Sequence, residues 1–166
     1  MVYPTECLRG NKKLSINDCE LVILRSAVDK IQAKTGRHLL HKPEVQKIIN
    51  IVEKFLQDKK RVCYGGTAIN NILPEKYQFY NKDIELPDYD FFSPEPLADS
   101  KRLADIYINE GFVEVEAKSG IHAGTFKVFV NFIPVADITY VPERLYKTIL
   151  KQALKRGNIY YAPPDF

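Results

Sequence analysis

Residues 61–67 read Arg61-Val62-Cys63-Tyr64-Gly65-Gly66-Thr67, and residues 88–92 read Asp88-Tyr89-Asp90-Phe91-Phe92. This pattern predicts a short strand that ends at the glycine pair, a helix that begins at Thr67, and a second strand after a polar loop over 75–87. Glycine lets the backbone turn with positive φ, and a helix N-terminus directs free N–H groups toward an anion. The stretch therefore indicates an α/β protein with a turn that can hold a phosphate.

The glycine turn has two interpretations. A Gly-Gly-Thr sequence between a strand and a helix is often only a tight turn with a capped helix. In a nucleotide-binding protein, Gly65 and Gly66 would admit a triphosphate and the Thr67 hydroxyl would donate to one of its oxygens. The lysine of a P-loop is absent, so this is not a P-loop.

Two acids on the second strand point to a metal. Asp88 and Asp90 are two residues apart, so on a strand their side chains share one face while Tyr89 and Phe91 occupy the other. Neighbouring carboxylates repel and need a compensating cation, for which Mg²⁺ or Mn²⁺, ions that suit hard oxygen ligands, are the natural choices. A solvent-exposed acidic strand end is the alternative for these two residues taken alone.

A third acid changes that balance. Asp137 lies in the otherwise apolar stretch 132–138, where a carboxylate is costly unless it is paired or bound to metal. Three acids on neighbouring strands beside a phosphate-holding turn match the requirements of two-metal nucleotidyl transfer. Asp88, Asp90 and Asp137 would be the metal ligands and catalytic residues, with Asp137 also near the attacking hydroxyl as a general base.

The rest of the chain predicts helices and strands that support this site. Asn17, with Glu20 as its capping-box partner, predicts the start of a helix that Gly36 ends, and Pro43 opens the next one. Further helices are predicted from Pro94 or Pro96 to Asn109 and from Pro142 to Lys155, and further strands over Phe112–Lys118, Thr125–Val130 and Ile133–Tyr140. These elements divide the chain into a helical segment over 1–60, a catalytic core over 61–157, and a linker or severed end over 158–166.

Composition narrows the remaining possibilities. The chain has 166 residues, a net charge of +3 and three cysteines without CxxC spacing, so we expect a globular protein without a zinc site or a disulfide framework, in a reducing compartment. No signal sequence and no membrane-spanning apolar stretch is predicted. Three local basic groups are either solvated faces or contacts for nucleic-acid phosphate. They are Lys12-Lys13, Lys59-Lys60-Arg61, and Lys147 with Lys151, Lys155 and Arg156.

The remaining polar residues carry weaker signals. Asp83 and Glu85 belong to the predicted loop, where they are interpreted as a solvated approach to the site. The histidines His38, His41 and His122 are scattered and form no metal cluster. His122 follows Lys118 on a turn, which leaves contact with phosphate or RNA as an open role for it.

The run from Leu86 to Ser93, together with the glycine turn and Asp137, resembles the nucleotidyltransferase superfamily that includes DNA polymerase β and poly(A) polymerases. Within it, residues 87–94 and 124–131 are most similar to the poly(A) polymerase catalytic subunits of giant viruses and poxviruses. The resemblance implies a mixed β-sheet flanked by helices, ATP as donor and an RNA 3′ end as acceptor. It assigns the metal to Asp88, Asp90 and Asp137, and the nucleotide to Gly65, Gly66, Thr67 and Asn70.

The resemblance also sets the expected context. Members of this superfamily continue into a further helical region, so the chain is either a fragment of a longer protein or a shortened relative. We expect the fragment, which keeps the metal site yet can lack polymerase activity. A cytoplasmic setting, in a viral factory or virion, follows from the viral relatives, with no membrane contact. A homodimer or a viral partner subunit remains open. The alternative functions are transfer of a nucleotide to a protein or small molecule, and a non-catalytic RNA-binding module on the same fold.

Overall fold

The architecture was examined in a computed structural model that describes residues 7–9, 12–81 and 85–164. The helices are α1 (Ile16–Leu40), α2 (Pro43–Lys59), α3 (Gly65–Ile72), α4 (Pro96–Asn109) and α5 (Glu143–Gln152). The strands are β1 (Leu8–Arg9), β2 (Lys12–Lys13), β3 (Val62–Tyr64), β4 (Tyr89–Ser93), β5 (Val115–Ser119), β6 (Thr125–Val130), β7 (Ile133–Tyr140), β8 (Leu154–Arg156) and β9 (Ile159–Tyr161).

Seven of the described strands form one mixed sheet in the order β5-β6-β7-β4-β3-β9-β8. The central strand β4 is parallel to β7 and antiparallel to β3. One face of the sheet is covered by α2 and α4, whose buried side chains form the main core with Phe91, Val128 and Ile138. The α/β fold with a mixed sheet flanked by helices is therefore confirmed.

The opposite face of the sheet is covered only in part by α5. Tyr146 and Ile149 of this helix pack with Val62 in a second, smaller core. Tyr64 and Phe92 lie against that core with their rings stacked at a centroid distance of 4.1 Å. Helix α5 thus covers the β3 side of this face and leaves the ends of β4 and β7 near the glycine turn accessible.

Several predicted boundaries agree with the structure and others need correction. Strands β6 and β7 and the start of α2 at Pro43 lie where the sequence predicts them. The first helix begins after Ser15, not Asn17: the Ser15 hydroxyl bonds the Asp18 carboxylate at 2.6 Å and accepts from the Asp18 N–H. Gly36 does not end that helix, which continues to Leu40.

The end of the chain also differs from expectation. The last predicted helix stops at Gln152, and two short strands follow it. Strand β9 inserts beside β3 in parallel and β8 pairs with β9, so 154–161 belongs to the sheet and is not a linker. The turn between them places Asn158 and Gly157 at positive φ, which is the reason a compact hairpin forms where the sequence suggested a helix end.

The expectation of unpaired cysteines was wrong at the N-terminus. The β1–β2 hairpin folds the chain back on itself, and Cys7 and Cys19 form a disulfide with a Cα–Cα distance of 4.9 Å. Cys63 is the free, buried cysteine that the apolar stretch predicts. This disulfide removes the cysteine-based argument for a reducing compartment, because disulfides persist where the environment is oxidising.

A search of the described residues for helices long and apolar enough to cross a membrane found none.

Candidate active site

Two of the predicted metal ligands are neighbours in the sheet. Asp90 on β4 and Asp137 on β7 are register partners on adjacent parallel strands. The same register continues to Tyr64 on β3, which pairs with Asp90, and to Lys127 on β6, which pairs with Asp137. We call these four residues the site row. Register partners share a face, so the row presents two carboxylates between an aromatic ring and an ammonium group.

Asp88 precedes β4 by one residue and is the most exposed of the three acids. Its position is fixed through the backbone: the Thr67 hydroxyl at the start of α3 donates to the Asp88 carbonyl oxygen at 2.8 Å. The intervening residue Tyr89 points to the other face, where its hydroxyl donates to Glu53 of α2. Asp90 therefore faces away from the helix core, and the Asp88 carboxylate, one residue before the strand, lies close enough to repel those of Asp90 and Asp137.

A β-bulge decides which face Asp137 occupies. Pairing in the β6–β7 hairpin runs regularly from Val130 with Ile133, and the register shifts between Val128 and Phe129. Val135 is the extra residue, so Val135 and Ala136 both lie in the helix-side core. Without the bulge, Asp137 would turn toward that core. The shift instead turns it to the open face, opposite Lys127.

The site is electrostatically crowded. Burial and then repulsion from Asp88 and Asp137 raise the pKa of Asp90 to about 6, against an ordinary value of 3.8. Neighbouring groups remove part of the hydration of Asp88, and this loss followed by repulsion from Asp137 raises its pKa as well. The Lys127 ammonium donates to Asp137, which raises the pKa of the lysine. The carboxylates thus lack enough positive charge around them.

These residues fit a hard divalent cation by their chemistry. Three neighbouring carboxylates offer oxygen ligands, and burial followed by repulsion raises the pKa of Asp90, so a cation would stabilise its charged form. Among the residues that the structure describes, no three His, Cys, Asp or Glu side chains already converge as a metal site. Small side-chain movements would therefore accompany binding, and the ion pair of Asp137 with Lys127 is one contact that such movements would change.

The raised pKa of Asp90 predicts a measurable pH dependence of stability in the metal-free protein. Folding raises the pKa of Asp90 from its ordinary value of 3.8 to about 6. Between these two pH values the folded protein therefore keeps a proton on Asp90 that the unfolded chain has released. Linkage then makes wild type gain stability relative to Asp90→Asn as pH falls through about 6, with the variant the more stable at higher pH. Denaturant unfolding with EDTA at about pH 5 and about pH 8 measures this. A difference between the two proteins that does not change with pH would contradict it.

The glycine pair packs against functional side chains. Gly65 has φ +74°, and a Cβ built on it would lie 2.5 Å from an Asp90 carboxylate oxygen. A Cβ on Gly66 would lie 2.4 Å from the Tyr80 hydroxyl. Glycine is needed at position 65 for two reasons: it adopts the positive φ without strain, and it leaves room for the Asp90 carboxylate beside it. The second glycine leaves room for the hydroxyl end of a Tyr80 ring that is 42% exposed.

This difference predicts distinct effects of two alanine substitutions. Gly65→Ala should destabilise more than Gly111→Ala, whose site also has positive φ but no atom within 4 Å of the added Cβ and so reports backbone strain of roughly 1–2 kcal/mol alone. Gly66→Ala should regain stability when combined with Tyr80→Phe, because the hydroxyl is the nearest contact. Free energies of unfolding measure both. Equal losses for Gly65→Ala and Gly111→Ala would contradict the packing argument.

The other two predicted nucleotide residues make internal contacts. Thr67 is buried and bonds the Asp88 carbonyl, as described above. Asn70 is 2% exposed, and its carboxamide oxygen accepts from the N–H groups of Phe79 and Tyr80 at 2.7 and 2.9 Å. Both side chains hold the loop before β4 against α3. Their direct contact with a nucleotide stays a prediction.

A cavity of about 710 Å³ opens on the helix side of this loop. Thr67, Asn70 and Asp88 line it together with Glu53, Tyr89 and Tyr161. Asp90 and Asp137 do not line it, because they point to the other face of the sheet. The cavity therefore adjoins the backbone of the site but does not contain its carboxylate pair.

Other sequence predictions fall as follows. His122 is exposed on the turn between β5 and β6, and Glu85 is exposed in the loop. Arg61 is not part of an exposed basic group with Lys59 and Lys60, because it is 7% exposed and its Nε donates to Asp99 at 2.6 Å. Asp83 and the side chain of His38 lie outside the described part of the chain.

Two residues of the site row were missed from sequence. Tyr64 ends the strand before the glycine turn, and its hydroxyl hydrogen-bonds the Thr139 hydroxyl at 2.8 Å. Lys127 lies on a predicted strand, but regular hairpin pairing would place it opposite Ala136, and only the bulge brings it to Asp137. Alternation along β6 gives the face of Lys127, but its partner depends on the bulge, for which the adjacent strand proline is a weak signal.

The fold is a mixed sheet covered by α2 and α4 on one face and in part by α5 on the other. A glycine turn into a helix and acids on two central strands lie at the open part of the second face. This combination is that of the nucleotidyltransferase class. The family model described as poly(A) polymerase catalytic subunit matches residues 50–166. The chain belongs to the poly(A) polymerase catalytic subunit family.

Individual relatives agree with this family. The chain is 33% identical over 139 residues to an African swine fever virus protein named as a poly(A) polymerase catalytic subunit, covering 84% of this chain and 29% of that protein. A similarly named protein of Acanthamoeba polyphaga mimivirus is 33% identical, covering 74% of this chain and 21% of its own length. The crystal structure of the Megavirus polyadenylate synthase superposes with a TM-score of 0.75 at 29% identity, covering 93% of this chain and 32% of that one. The chain thus spans about a third or less of the length of these relatives.

Proposed function

We propose that the chain is the catalytic domain of a template-independent polynucleotide adenylyltransferase, which adds AMP from ATP to RNA 3′ ends. The observation that carries the proposal is the placement of Asp90 and Asp137 in one register across β4 and β7, with Asp88 at the same end and the glycine turn beside them. Acids in this arrangement suit phosphoryl chemistry on one exposed face. The family membership selects polyadenylation from the reactions that such a site can perform.

Each residue has a defined part in the proposed reaction. Asp88, Asp90 and Asp137 would hold Mg²⁺ or Mn²⁺, which when bound activates the attacking hydroxyl and stabilises the charge on the leaving group. Gly65 and Gly66 would let the triphosphate approach the N-terminus of α3. The bond from the RNA 3′ oxygen to the α-phosphorus forms as the bond to pyrophosphate breaks. Asp137 would receive the proton of the attacking hydroxyl.

The test is extension of a labelled RNA primer by the longest polypeptide that carries this sequence, with ATP and Mg²⁺. We expect addition of AMP units that needs a free 3′ hydroxyl and stops when EDTA removes the metal. The other three nucleoside triphosphates, supplied separately, measure the preference for ATP. Label transfer from ATP to a protein or a small molecule without primer extension would refute the polymerase and favour the alternative acceptor.

A non-catalytic RNA-binding module is the remaining alternative. The presence of all three acids and the close approach of Gly65 to Asp90 favour catalysis over that role. RNA binding without AMP transfer under any divalent ion would reverse this choice. The viral origin of the relatives supports action on viral transcripts in the cytoplasm, and a partner subunit or second copy would be identified by the mass of the active particle in solution.

A further inference from the structure

Lys127 places a positive charge beside the three carboxylates of the candidate active site. Its ammonium group donates to Asp137, and the electrostatic influence of the lysine extends to Asp88 and Asp90. The side chain is 35% exposed and that of Asp137 is 18% exposed, so the ion pair lies at the floor of the open face. A positive charge there partly offsets the repulsion among three carboxylates.

The contact between Lys127 and Asp137 is set by the register of β6 and β7. The bulge at Val135 aligns Lys127 with Asp137, whereas regular pairing would place the lysine opposite Ala136 and turn Asp137 toward the helix-side core. Asp137 does not depend on the lysine for its own position, because β7 is held between β4 and β6. Removal of the ammonium would therefore leave the carboxylate in place with a free oxygen.

The contact also conflicts with metal ligation. A carboxylate oxygen that accepts from an ammonium cannot give the same lone pair to a divalent ion, and two cations a few ångström apart repel. Lys127 is long and partly exposed, so its ammonium can swing toward solvent without a change in the backbone.

We propose that Lys127 is an internal counter-cation of the metal-free site, and that binding of a divalent ion displaces its ammonium from Asp137. This inference rests on the proposed function, since it takes the three acids as the metal site. Lys127 acts here as a positioning residue for the metal-free state. It lowers the affinity for the divalent ion while it stabilises the folded chain before that ion arrives.

The first test is Mn²⁺ binding by wild type and Lys127→Met, followed through the electron paramagnetic resonance signal of free Mn²⁺. We expect the variant to bind Mn²⁺ about tenfold more tightly, the order that removal of one unit charge a few ångström from a divalent ion gives in a solvent-exposed site. Lys127→Arg, which keeps the charge, should stay near wild type. Equal or weaker binding by Lys127→Met would overturn the proposal.

A matched control lies one strand away. Lys118 is the register partner of Lys127 on β5, and its ammonium pairs with Glu116 at 2.9 Å instead of with the site acids. Lys118→Met removes the same charge and side chain from the same face, so its Mn²⁺ affinity should remain within about twofold of wild type, as expected for a screened surface charge. An equal gain in both methionine variants would show a general charge effect and contradict a specific role for Lys127.

The second test uses the wild-type protein and so does not depend on whether a variant folds. Brief acetylation with acetic anhydride, followed by mass spectrometry, measures the reactivity of Lys127 and Lys118. The reactivity in EDTA is compared with that in Mg²⁺. We expect Mg²⁺ to raise the labelling of Lys127 several-fold and leave Lys118 unchanged. Unchanged or reduced labelling of Lys127 would contradict displacement.

The outcomes separate this inference from the proposed function. If wild type binds no Mn²⁺, the metal site itself fails and the counter-cation fails with it. If wild type binds Mn²⁺ and Asp90→Asn abolishes binding, but Lys127→Met is not tighter, the metal site stands and only the role of Lys127 is refuted.

Discussion

Replacement of Asp90 or Asp137 by asparagine is expected to lower the rate of AMP addition by at least about 100-fold, since even outer-shell partners of metal ligands are worth roughly 10–100-fold. Asparagine keeps the shape of the side chain and removes its charge. Both residues lie on central strands whose register fixes them beside each other, so no neighbouring acid can take their place without a change in the sheet.

Single-turnover extension of an RNA primer at saturating ATP measures this loss. Asp58→Asn is the matched control, because Asp58 is exposed at the end of α2 and its ion pair with Lys54, four residues earlier, is exposed as well. The control should extend the primer at the wild-type rate. A rate for Asp90→Asn or Asp137→Asn within about threefold of wild type, well below the loss that a metal ligand implies, would remove these acids from the catalytic site.

The second large effect is expected on stability, at Asp99. This carboxylate is fully buried, with 0% exposed, and accepts from Arg61 and from the Ser93 hydroxyl at 2.6 Å each. Arg61 is itself buried beside the Tyr146 ring of α5. Loss of the charge in Asp99→Asn leaves Arg61 buried, with the half-exposed Glu95 as its remaining acidic partner among the described residues. We expect a loss of about 3–5 kcal/mol, the usual cost of breaking a buried pair from one side.

Denaturant unfolding, followed by far-ultraviolet circular dichroism, measures this cost. The same Asp-to-Asn change at Asp58 should cost less than about 0.5 kcal/mol, because its pair with Lys54 is exposed on both sides. A shift in the midpoint without a change in slope would assign the effect to the folded state. Equal costs at Asp58 and Asp99 would contradict the view that this network joins β3, β4 and α4.

The parts of the fold that were predicted correctly are those with strong local patterns. Helix α2 has apolar residues at helical spacing after Pro43, and its buried residues Val45, Ile48 and Val52 follow that spacing. Strand β6 and strand β7 are bounded by turn residues at 124 and 131. Local periodicity and turn chemistry suffice for such elements because each one buries a single continuous face.

The parts that were missed depend on contacts between distant residues. Strand β9 is three residues long and forms because β3 offers an edge to it, which no local pattern around 159–161 shows. The Cys7–Cys19 disulfide depends on the β1–β2 hairpin, and two-residue strands are too short to be recognised by alternation. At α1, both Ser15 and Asn17 are good caps, and the sequence alone did not decide between them.

The candidate site divides in the same way. Asp88, Asp90 and Asp137 could be predicted as a group because residue spacing and an acid in an apolar strand are visible in sequence. That Asp137 faces Asp90 at all depends on the bulge at Val135, which also brings in Lys127. The internal hydrogen bonds of Asn70 required knowledge of where the 75–87 loop returns, which is a property of the tertiary fold.

The most direct measurement is metal rescue of an Asp90→Cys variant in primer extension. A thiolate binds Mg²⁺ poorly and softer ions well, so the variant should be inactive with Mg²⁺ and regain activity when Cd²⁺ or Zn²⁺ is added, whereas wild type remains active with Mg²⁺. This result would establish that residue 90 contacts the catalytic metal ion. Full activity of Asp90→Cys with Mg²⁺, or a folded variant that no softer ion restores, would contradict the assignment of the carboxylates of β4 and β7 as the metal site.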